Sequence, residues 1–557
     1  MPILSALEIA GSFANVGPVS PSQAEPIAAY APSARGAWTV FALAAGLALA
    51  FTFCTDHRWE DYYITFRAAK NLATGHGLVY QVGERVHSFT SPLGVLALAF
   101  TSWVSGGRSD EAALWLFRAL SIGAFAGAAA LVWSTCRAWG WRRFTCAIAA
   151  ALVMADAKSL DFSINGMETG FMLLFLALTV SAFARSTCAW KLGVAWAGLM
   201  WTRPDSFIYI GGIAAGFWLF PAGLKIADGR AGLLRKYGWA AVVCILLYGP
   251  WIAWAWGYYG SPIPHTIVAK GLNQKPFGGI AAAHDILTAP WSHRAFDAIY
   301  LPSYYALGGW PQWAIWIGRV LSCVAFFTVF APRLRPGARA VSFAFVVAIV
   351  YQSSIPASPW YVPPGAFLAS LALCGLGESL SRLWPAARQF LVPVGFAVVA
   401  WALLLLAGTA WQLRWQQRLV EGQRREIGEW LRDHRDSPGD TVFLEPLGYI
   451  GYFSQLKMLD YPGMSSPEVV AARRLVGEDN GDLIAVLRPH WVVIRPIKLT
   501  NDPLALGSFR ANYEPVQSFD VYSRIDAIPF LPGREYLRID SRFEIFHRRP
   551  DSFAPSP

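Results

Sequence analysis

The sequence predicts a polytopic α-helical membrane protein that carries a C-terminal α/β domain outside the membrane. Of its 557 residues, 55% are hydrophobic and only 15% are charged, with 26 Trp and 35 Phe. A soluble fold cannot bury so much apolar surface, and long uncharged segments recur between residues 37 and 410. After residue 410 the pattern changes to short β-branched runs alternating with helical stretches, which is typical of an α/β domain.

The formal net charge of +10 comes largely from connectors between apolar segments, which argues against a nucleic-acid partner. Basic residues cluster in alternate connectors, at 137–143, 185–191, 225–236, 333–339 and 382–388. This is the positive-inside distribution of a multi-pass protein of the inner (plasma) membrane, with the bilayer as its partner. With about 11 transmembrane helices, the N-terminus is cytoplasmic and the C-terminal domain is periplasmic.

The chain divides into three predicted regions. Residues 1–36, rich in Ala, Ser and Pro, form a disordered cytoplasmic tail, and residues 37–410 form the membrane domain with a first external loop at 55–111. Residues 411–557 form the periplasmic α/β domain, beginning with a charged helix at 411–436. Its predicted strands are Thr441–Leu444, Trp491–Ile494, Val516–Val521 and Phe543–Phe546, and its predicted helices are Pro467–Val476 and Asp482–Leu487.

The seven cysteines give no sign of a disulfide framework or a thiolate metal site. None forms a CxxC pair, and the region after residue 411 has none. No other metal-ligand spacing occurs in the sequence. We therefore expect no required cofactor, although a divalent metal ion is not excluded.

Glu60 and Asp61 follow directly after the first apolar segment, Ala37–Cys54. Carboxylates are costly in hydrocarbon, so a pair at this boundary should face water or a polar site. The next residues, through Ala73, mix apolar Phe66, Ala69 and Leu72 with polar Arg67, Lys70 and Asn71, a pattern that predicts a short helix along the membrane surface. One interpretation is a catalytic carboxylate in an external cavity. The other is a solvated acid or an ion pair with Arg58 or Arg67.

Other external connectors carry further candidates. Glu84 lies in the first loop, and Glu168 lies between two apolar segments, where it could bind a sugar or simply end a helix. Arg203 and Asp205 flank a proline that breaks a helix, leaving polar groups at membrane depth. The simpler alternative is a structural ion pair of Arg203 with Asp205 or Glu168.

The loop after residue 257 offers cations for a phosphate. His265 and Lys270 follow a rigid Pro-x-Pro turn, and a lipid phosphate at the membrane surface requires such positive charge or hydrogen-bond donors. A solvated loop lysine is the alternative. Trp360 and Tyr361, next to prolines, could form an aromatic platform for a sugar, although interfacial aromatic belting also accounts for them.

The order of these motifs resembles a known family. The acidic pair with Tyr-Ile-Thr-Phe-Arg is followed by Gly-His-Gly-Leu-Val-Tyr, Gly-Met-Glu-Thr, Thr-Arg-Pro-Asp, a Tyr-Gly-x-Pro-x-Pro-x-Thr-x-x-Ala-Lys loop and Leu-Asp-Tyr-Pro-Gly-Met. Over residues 37–500 this series is similar to the polyprenyl-phosphate-sugar-dependent GT-C glycosyltransferases. Within them it most resembles the terminal arabinofuranosyltransferases of actinobacterial cell walls and their proteobacterial relatives.

The resemblance implies a GT-C membrane fold, a lipid-monophosphate sugar donor and a first-loop carboxylate near the reacting centre. Asp61 matches the second acid of the family's pair, while Glu60 stands where an aspartate is common. Lys270 matches the family's loop, and His265 replaces an expected asparagine. The residues assigned from the local patterns and the resemblance together are Asp61 and Glu60 for catalysis, Lys270, Arg203 and His265 for the donor phosphate, and Glu84, Glu168, Tyr63, Trp360 and Tyr361 for sugar or acceptor.

The expected activity is transfer of a sugar, arabinofuranose, from a polyprenyl phosphate to an acceptor hydroxyl on a glycan, glycolipid or protein. Asp61 would act as general base, stabilise positive charge on the sugar or form a covalent intermediate. Two alternatives remain open from the sequence. One is a carrier or flippase of polyprenyl-linked sugars, and the other is a mannosyl- or aminoarabinose-type transferase acting on protein or lipid A.

Overall fold

The computed structural model describes residues 34–550 except 108, 186, 222–228, 273–293, 332, 335–336, 356–357 and 499–502. Nearly all of the predicted tail at 1–36 therefore lies outside the described residues. The first helices, in chain order, are α1 Ala34–Thr55, α2 Glu60–Ala73, α3 Pro92–Val104, α4 Asp110–Ala138, α5 Arg143–Ala155, α6 Ala157–Ile164, α7 Thr169–Ala184 and α8 Ala189–Thr202. They are followed by α9 Phe207–Leu219, α10 Gly229–Tyr259, α11 His265–Gly271, α12 Arg294–Ala298, α13 Gln312–Phe327, α14 Ala338–Ser353, α15 Pro363–Leu383 and α16 Arg388–Gln416.

Within the described residues, six helices are long and apolar enough to cross a membrane. They are α1, α4, α10, α13 with its following turn, α15, and the 50-residue run Pro385–His434 that contains α16. Helices α6 and α7, bent by 119°, raise the number to seven if the pair counts as one span. The expected count of 11 is not confirmed, because several predicted spans (α5, α8, α9 and α14) are helices of only 13 to 16 residues.

The first external loop forms two short helices, the first of which is the one predicted after the acidic pair. Helix α2 places both acids in its first turn, where negative charge favours the helix dipole, and buries Tyr62 and Phe66. Helix α3 begins with Pro92, and the Ser91 hydroxyl accepts a hydrogen bond from the Gly94 N–H at 3.0 Å. Both helix starts are therefore well defined, which fixes the position of the acidic pair.

The C-terminal domain contains a five-stranded mixed sheet with helices on both faces. Its helices are α17 Gly422–His434, α18 Leu447–Ser454, α19 Pro467–Val476, α20 Asn480–Leu487, α21 Pro503–Asn512, α22 Tyr522–Asp526 and α23 Arg534–Ile539. Its strands are β1 Thr441–Leu444, β2 Lys457–Asp460, β3 Trp491–Ile494, β4 Tyr513–Asp520 and β5 Arg542–Arg548. The strand order is β2-β1-β3-β5-β4, with β1 parallel to β2 and β3, and β5 antiparallel to β3 and β4.

The sheet packs against the first external loop as well as against its own helices. One face shares a buried apolar cluster with α17 and α18, and this cluster also contains Ile64 from α2 and Tyr80 from the first loop. The opposite face is covered by α19, α20 and α21. Because the loop and the domain share a hydrophobic core, the acidic pair on α2 lies at the junction of the membrane part and the α/β domain.

Candidate active site

A solvent-open cavity lies at this junction. Its wall comes from α2, the N-terminus of α3, the turn before α7, the break after α8, helix α11, the turn at Pro359–Tyr361 and the loop after β2. We call it the reaction cavity. The predicted site residues that it brings together are Asp61, Glu168, Arg203, Lys270, Trp360 and Tyr361.

Asp61 is held in place because Trp59, the residue just before α2, is anchored to the turn before α7. The Trp59 backbone N–H donates to the Asn165 carbonyl at 3.1 Å, and its indole N–H donates to Asp161 Oδ1 at 2.9 Å. Gly166, at φ +99°, allows this turn to pack closely, because a Cβ there would lie 2.4 Å from the Tyr62 ring. The first turn of α2 is therefore fixed against the membrane helices.

Two opposing effects act on the pKa of the Asp61 carboxyl. Burial raises its pKa above the ordinary value, whereas the charges of Lys270 and Arg203 lower it. A half-buried carboxylate with a raised pKa beside two cations can accept a proton from a hydroxyl group, or stabilise positive charge that develops on a sugar.

Arg203 is tightly held, because α8 ends at Thr202 and the chain turns there. Its guanidinium pairs with Asp205 at 3.0 Å and with Glu168 at 3.4 Å, and it lies 4.2 Å from the centroid of the Tyr361 ring. Both ion pairs considered from the sequence are therefore present, and Arg203 and Glu168 belong to the cavity wall. The positive charge of Arg203 is largely balanced by its two carboxylate neighbours.

Lys270 differs from Arg203 because it is exposed and lies against an aromatic ring rather than a carboxylate. Its Nζ is 5.2 Å from the centroid of the Trp360 ring. No carboxylate lies within ion-pair distance of it in the part of the chain that the structure describes. This cation is therefore available for an anionic group that enters the cavity.

Two buried hydroxyl groups were not singled out from the sequence. Ser88 is 1% exposed and Thr266 is 5% exposed, both line the reaction cavity, and neither hydroxyl has a hydrogen-bond partner among the described residues. With the nearby N-terminus of α3, they give the cavity donors for phosphate or sugar oxygens. Their only sequence signal was their place in the polar run Ser-Phe-Thr-Ser and in the loop before Lys270.

Glu60 lies outside the reaction cavity, contrary to its predicted pairing with Asp61 in catalysis. Its carboxylate accepts hydrogen bonds from the Gly448 N–H and from Arg424 at 3.0 Å, both in the C-terminal region. A Cβ at Gly448 would lie 2.0 Å from the Glu60 carbonyl oxygen, which shows how closely α18 approaches α2. Glu60 therefore joins the two parts of the molecule.

The alternative ion pairs considered for the acids are wrong. Arg58 pairs with Glu111 at 2.6 Å, and Arg67 donates to backbone carbonyls, one of them that of Gly451 at 2.8 Å. Arg67 thus connects α2 to α18. The two arginines of the first loop therefore stabilise the packing of the loop and form no ion pair with Glu60 or Asp61.

Three further predicted residues also lie away from the cavity. Glu84 pairs with Lys457 of β2 at 2.5 Å, and Tyr63 packs its ring against Tyr449 of α18 at a centroid distance of 4.4 Å. His265 does not line the cavity, and burial lowers the pKa of its imidazole. The lowered pKa makes this imidazole a poor source of positive charge for a phosphate.

The C-terminal domain contributes to the cavity through the loop after β2, where Met464 lines the wall. Asp460, which is fully buried, accepts hydrogen bonds from the N–H groups of Met464 at 2.6 Å and Ser465 at 2.9 Å, and from the Ser466 hydroxyl at 2.6 Å. The Leu-Asp-Tyr-Pro-Gly-Met motif marked this loop in the sequence. Its role in closing the cavity was not predicted.

Arg473 connects the same loop to the helix that carries Lys270. Its Nη1 donates to the Ala269 carbonyl at 2.7 Å and to the Pro462 carbonyl at 2.7 Å, while Glu478 binds the rest of the guanidinium. Arg473 is 5% exposed, so these contacts are shielded from water. The position of Lys270 thus depends on the C-terminal domain.

No group of three or more His, Cys, Asp or Glu side chains that could hold a metal ion occurs among the described residues. The cavity nevertheless contains cationic side chains and hydroxyl donors that suit an anionic group directly. The expectation about cofactors remains a prediction.

Comparison with known proteins gives a family model that matches the C-terminal region and relatives that match a larger part of the chain. Residues 411–546 match a family model described as a domain of unknown function, DUF8728. A relative from Mycobacterium tuberculosis, named terminal beta-(1->2)-arabinofuranosyltransferase, is 28% identical over 500 residues, which cover 78% of this chain and 71% of the relative. A match over 78% of the chain extends into both the membrane part and the C-terminal domain.

Solved structures are similar in fold at low sequence identity. The oligosaccharyltransferase AglB from Archaeoglobus fulgidus, in complex with an inhibitory peptide and a dolichol-phosphate, has a TM-score of 0.52 at 13% identity, covering 87% of this chain and 73% of that one. ArnT from Cupriavidus metallidurans, bound to undecaprenyl phosphate, has a TM-score of 0.51 at 12% identity, covering 94% and 100%. The GT-C fold predicted from the sequence is confirmed, and the chain is a membrane glycosyltransferase.

Proposed function

We propose that this glycosyltransferase moves an arabinofuranosyl group from a polyprenyl-phosphate donor to an acceptor hydroxyl at the periplasmic face of the inner membrane. The observation that carries the proposal is the meeting in one cavity of Asp61 with Lys270, a cation that forms no ion pair with a carboxylate among the described residues. A sugar phosphate needs both a base for the incoming hydroxyl and a positive charge for the departing phosphate. The name of the mycobacterial relative supports arabinofuranose as the sugar.

A lipid-linked donor is supported by the surface beside Lys270. On α11 the side chains of Ile267 and Val268 are 46% and 36% exposed, and Ile263 just before the helix is 53% exposed. Thr266 and Ala269 on the same helix are buried and face the protein. A donor phosphate bound by Lys270 would thus have its polyprenyl chain next to an apolar surface.

The proposed reaction requires no group beyond the side chains of the cavity. The acceptor oxygen attacks the anomeric carbon, its proton passes to Asp61, and the bond between that carbon and the phosphate oxygen breaks. The electron pair leaves with the phosphate, whose charge is stabilised by Lys270, Arg203 and the hydroxyls of Ser88 and Thr266. Glu168 keeps Arg203 in position through their ion pair.

The proposed orientation rests on the charge of the connectors. Helix α4 begins at Asp110, near the first loop, and ends beside Arg137 and the basic turn to α5. The reaction cavity therefore lies at the end of this span opposite to a cluster of basic residues. By the positive-inside rule, the basic end is cytoplasmic and the cavity is periplasmic.

The test is sugar transfer by the purified protein in detergent. It is supplied with polyprenyl-phosphoryl-arabinofuranose and a panel of hydroxyl acceptors, and the product is followed by mass spectrometry, with Asp61→Asn in parallel. We expect transfer by the wild type and none above background by the variant. Donor competition with the corresponding mannose and aminoarabinose lipids tests the choice of sugar.

Two results would contradict the proposal. Equal transfer by Asp61→Asn at matched expression would remove this carboxylate from the reaction. Movement of a fluorescent donor across vesicles, with no sugar transfer to any acceptor in the panel, would identify a carrier instead.

A further inference from the structure

A groove lies between four membrane helices at the basic end of the bundle, opposite to the reaction cavity. Its wall comes from α5, α13, α15 and α16 and is almost entirely apolar. The polar side chains of the wall are Arg142 just before α5, Thr145 in the first turn of α5, Ser381 near the end of α15, and Arg388 at the start of α16. We call it the interhelical groove.

The two arginines lie at the same level of the bundle. Helices α5 and α16 both start at the basic end, and they touch where a Cβ added at Gly395 would lie 3.5 Å from Ile148. Arg142 is six residues before Ile148, and Arg388 is seven residues before Gly395. The interhelical groove therefore has one cationic end and an apolar remainder.

The length of the groove matches one leaflet of a bilayer. Its lining residues on α16 extend from Arg388 to Val398, and those beside and on α5 extend from Arg142 to Leu152. Ten residues of helix correspond to about 15 Å. The hydrocarbon core of a bilayer is about 30 Å thick, so this distance is about that of the acyl chains of one leaflet.

The groove is an open space and not a seam between packed side chains. At Gly377 on α15, which lines it, an added Cβ would meet no neighbouring side chain within 4 Å. On the flanking helices, Val324 of α13 is 39% exposed and Val394 of α16 is 55% exposed. Helices that pack directly leave no such gap, so the apolar space is available to a chain from the surrounding bilayer.

The charge at the basic end is not balanced by the protein. Glu378, fully buried beside this end, already pairs with Arg382 at 2.6 Å and accepts a hydrogen bond from the Thr145 hydroxyl at 2.6 Å. Arg142 Nη1 donates to the Ser381 hydroxyl at 3.4 Å, and Arg388 is exposed. Neither arginine forms an ion pair with a carboxylate in the part of the chain that the structure describes. Both guanidinium groups can therefore bind an anion.

We propose that the interhelical groove binds a phospholipid with an anionic headgroup, from the leaflet at the basic end of the bundle. An acyl chain lies along the apolar wall, and the headgroup phosphate accepts hydrogen bonds from Arg142 and Arg388. Basic pockets between transmembrane helices recognise anionic headgroups in this way. The site is separate from Lys270, which lies at the opposite end of the bundle, and the proposal does not depend on the sugar-transfer reaction.

The experiment is native mass spectrometry of the purified full-length protein in detergent, titrated with dioleoyl phosphatidylglycerol or with dioleoyl phosphatidylcholine. We expect the anionic lipid to bind about 10- to 25-fold more tightly, because each arginine beside an anionic lipid contributes about fivefold. The double variant Arg142→Gln/Arg388→Gln should reduce this ratio to within about twofold. Arg185→Gln, at an exposed arginine of another basic connector, should keep the preference. Equal binding of both lipids by the wild type, or an unchanged preference in the double variant, would overturn the proposal.

A second variant tests the space itself. Gly377→Phe should fill the groove and weaken phosphatidylglycerol binding by about threefold or more. Its control is Gly211→Phe, at an exposed position of α9 where an added Cβ also meets nothing within 4 Å, and this variant should match the wild type. Equal binding by the two glycine variants would reject the groove as the site.

Photocrosslinking locates the bound chain. Phosphatidylglycerol with a diazirine in its acyl chain should label peptides of α5, α15 and α16, and Gly377→Phe should remove this labelling. Labelling of other helices alone would overturn the assignment. Loss of the labelling when polyprenyl phosphate is added would also contradict it, because the groove would then hold the chain of the donor lipid.

Discussion

Glu60 and Asp61 are consecutive residues of α2, yet they face two different regions of the molecule. Asp61 faces the solvent-open reaction cavity, where its neighbouring charges are Lys270 and Arg203. Glu60 faces a buried ionic cluster, in which Arg424 also contacts Glu421 at 2.8 Å. Successive residues of an α-helix are rotated by about 100°, so adjacent acids necessarily point in different directions.

The difference between the two regions lies in what satisfies the carboxylates. In the ionic cluster Arg424 is 5% exposed, Glu421 is fully buried, and Asp540 is shared by Arg424 and Arg495. Each guanidinium there pairs with at least two carboxylates of the protein itself. In the reaction cavity Lys270 has no carboxylate partner among the described residues, so charge is left for a substrate. One turn of helix thus contributes to both substrate chemistry and domain attachment.

The largest expected effect is that of Asp61→Asn on the reaction. Loss of a general base should lower kcat by about 10²–10⁴-fold, while the midpoint of thermal unfolding stays near that of the wild type. Both quantities are measured on the same purified protein. The matched control is Glu60→Gln, which should change stability more than Asp61→Asn does. A similar fall in kcat with intact stability in both variants would make the two acids equivalent and end the comparison.

The next largest effect is that of Arg424→Met on stability. Removing this guanidinium leaves buried carboxylates unpaired, so we expect a loss of about 3–5 kcal/mol in the free energy of unfolding. Denaturant unfolding of the detergent-solubilised protein, followed by tryptophan fluorescence, measures it. The control is Arg425→Met, at the exposed next position, where an ion pair with Glu429 at 2.8 Å should contribute less than about 1 kcal/mol. Equal losses would show that the cluster is not a special feature of the junction.

Lys270→Met should weaken donor use and shift the pH dependence of the reaction. Loss of a charged hydrogen bond to phosphate should lower kcat/KM for the donor by about 10- to 100-fold. Asp61 must be ionised to accept a proton, so activity is lost as pH falls through its pKa. Because Lys270 lowers that pKa, its removal should move the acidic limb of the pH–rate profile to higher pH.

The control for this shift is Lys270→Arg, which retains the positive charge and should keep the acidic limb near that of the wild type. The profile is measured for kcat/KM at saturating acceptor. If the acidic limb of Lys270→Met coincides with that of the wild type, the charge of Lys270 does not affect the pKa of Asp61.

The smallest expected effect is that of Arg473→Ala on donor KM. This variant removes the two bonds that link helix α11 to the loop after β2, so Lys270 should be less well positioned and the donor KM should rise by about three- to tenfold. Arg473→Lys should recover part of the loss, because it can still donate to one carbonyl. The control is Arg474→Ala, on the exposed side of α19, the helix that also carries Arg473. An equal rise in donor KM in this control would show that Arg473 does not position the donor site.

Sequence patterns predicted the fold class and much of the cavity. Hydrophobicity and the change of pattern near residue 410 indicated the membrane part and the α/β domain, and the predicted strands coincide with β1 and β3 and overlap β4 and β5. The order of motifs along the chain selected residues that the structure brings into one cavity, among them Asp61, Arg203 and Lys270. Such motifs are short and local, so they can be recognised without knowledge of the packing.

What the sequence could not predict depends on packing between distant segments. The rotation of α2 relative to the C-terminal domain decides that Glu60 and Tyr63 face α18, and nothing local to residues 60–73 encodes it. Helix α18 and strand β2 were missed because the run after residue 446 is apolar without a clear period. Glu84 resembled a free loop acid, since its partner Lys457 lies 373 residues away.

The run Pro385–His434 is helical from the membrane span into the C-terminal domain, through α16, a π-helical turn at Gln417–Glu421 and α17. Its 50 residues correspond to about 75 Å of helical rise, so it acts mechanically as a lever with one arm in lipid and the other under the sheet. A bilayer that is too thin or too thick tilts such a span. Bilayer thickness should therefore change the geometry of the reaction cavity through the tilt of this helix. The turnover of this enzyme in vesicles should then vary with the length of the lipid acyl chains.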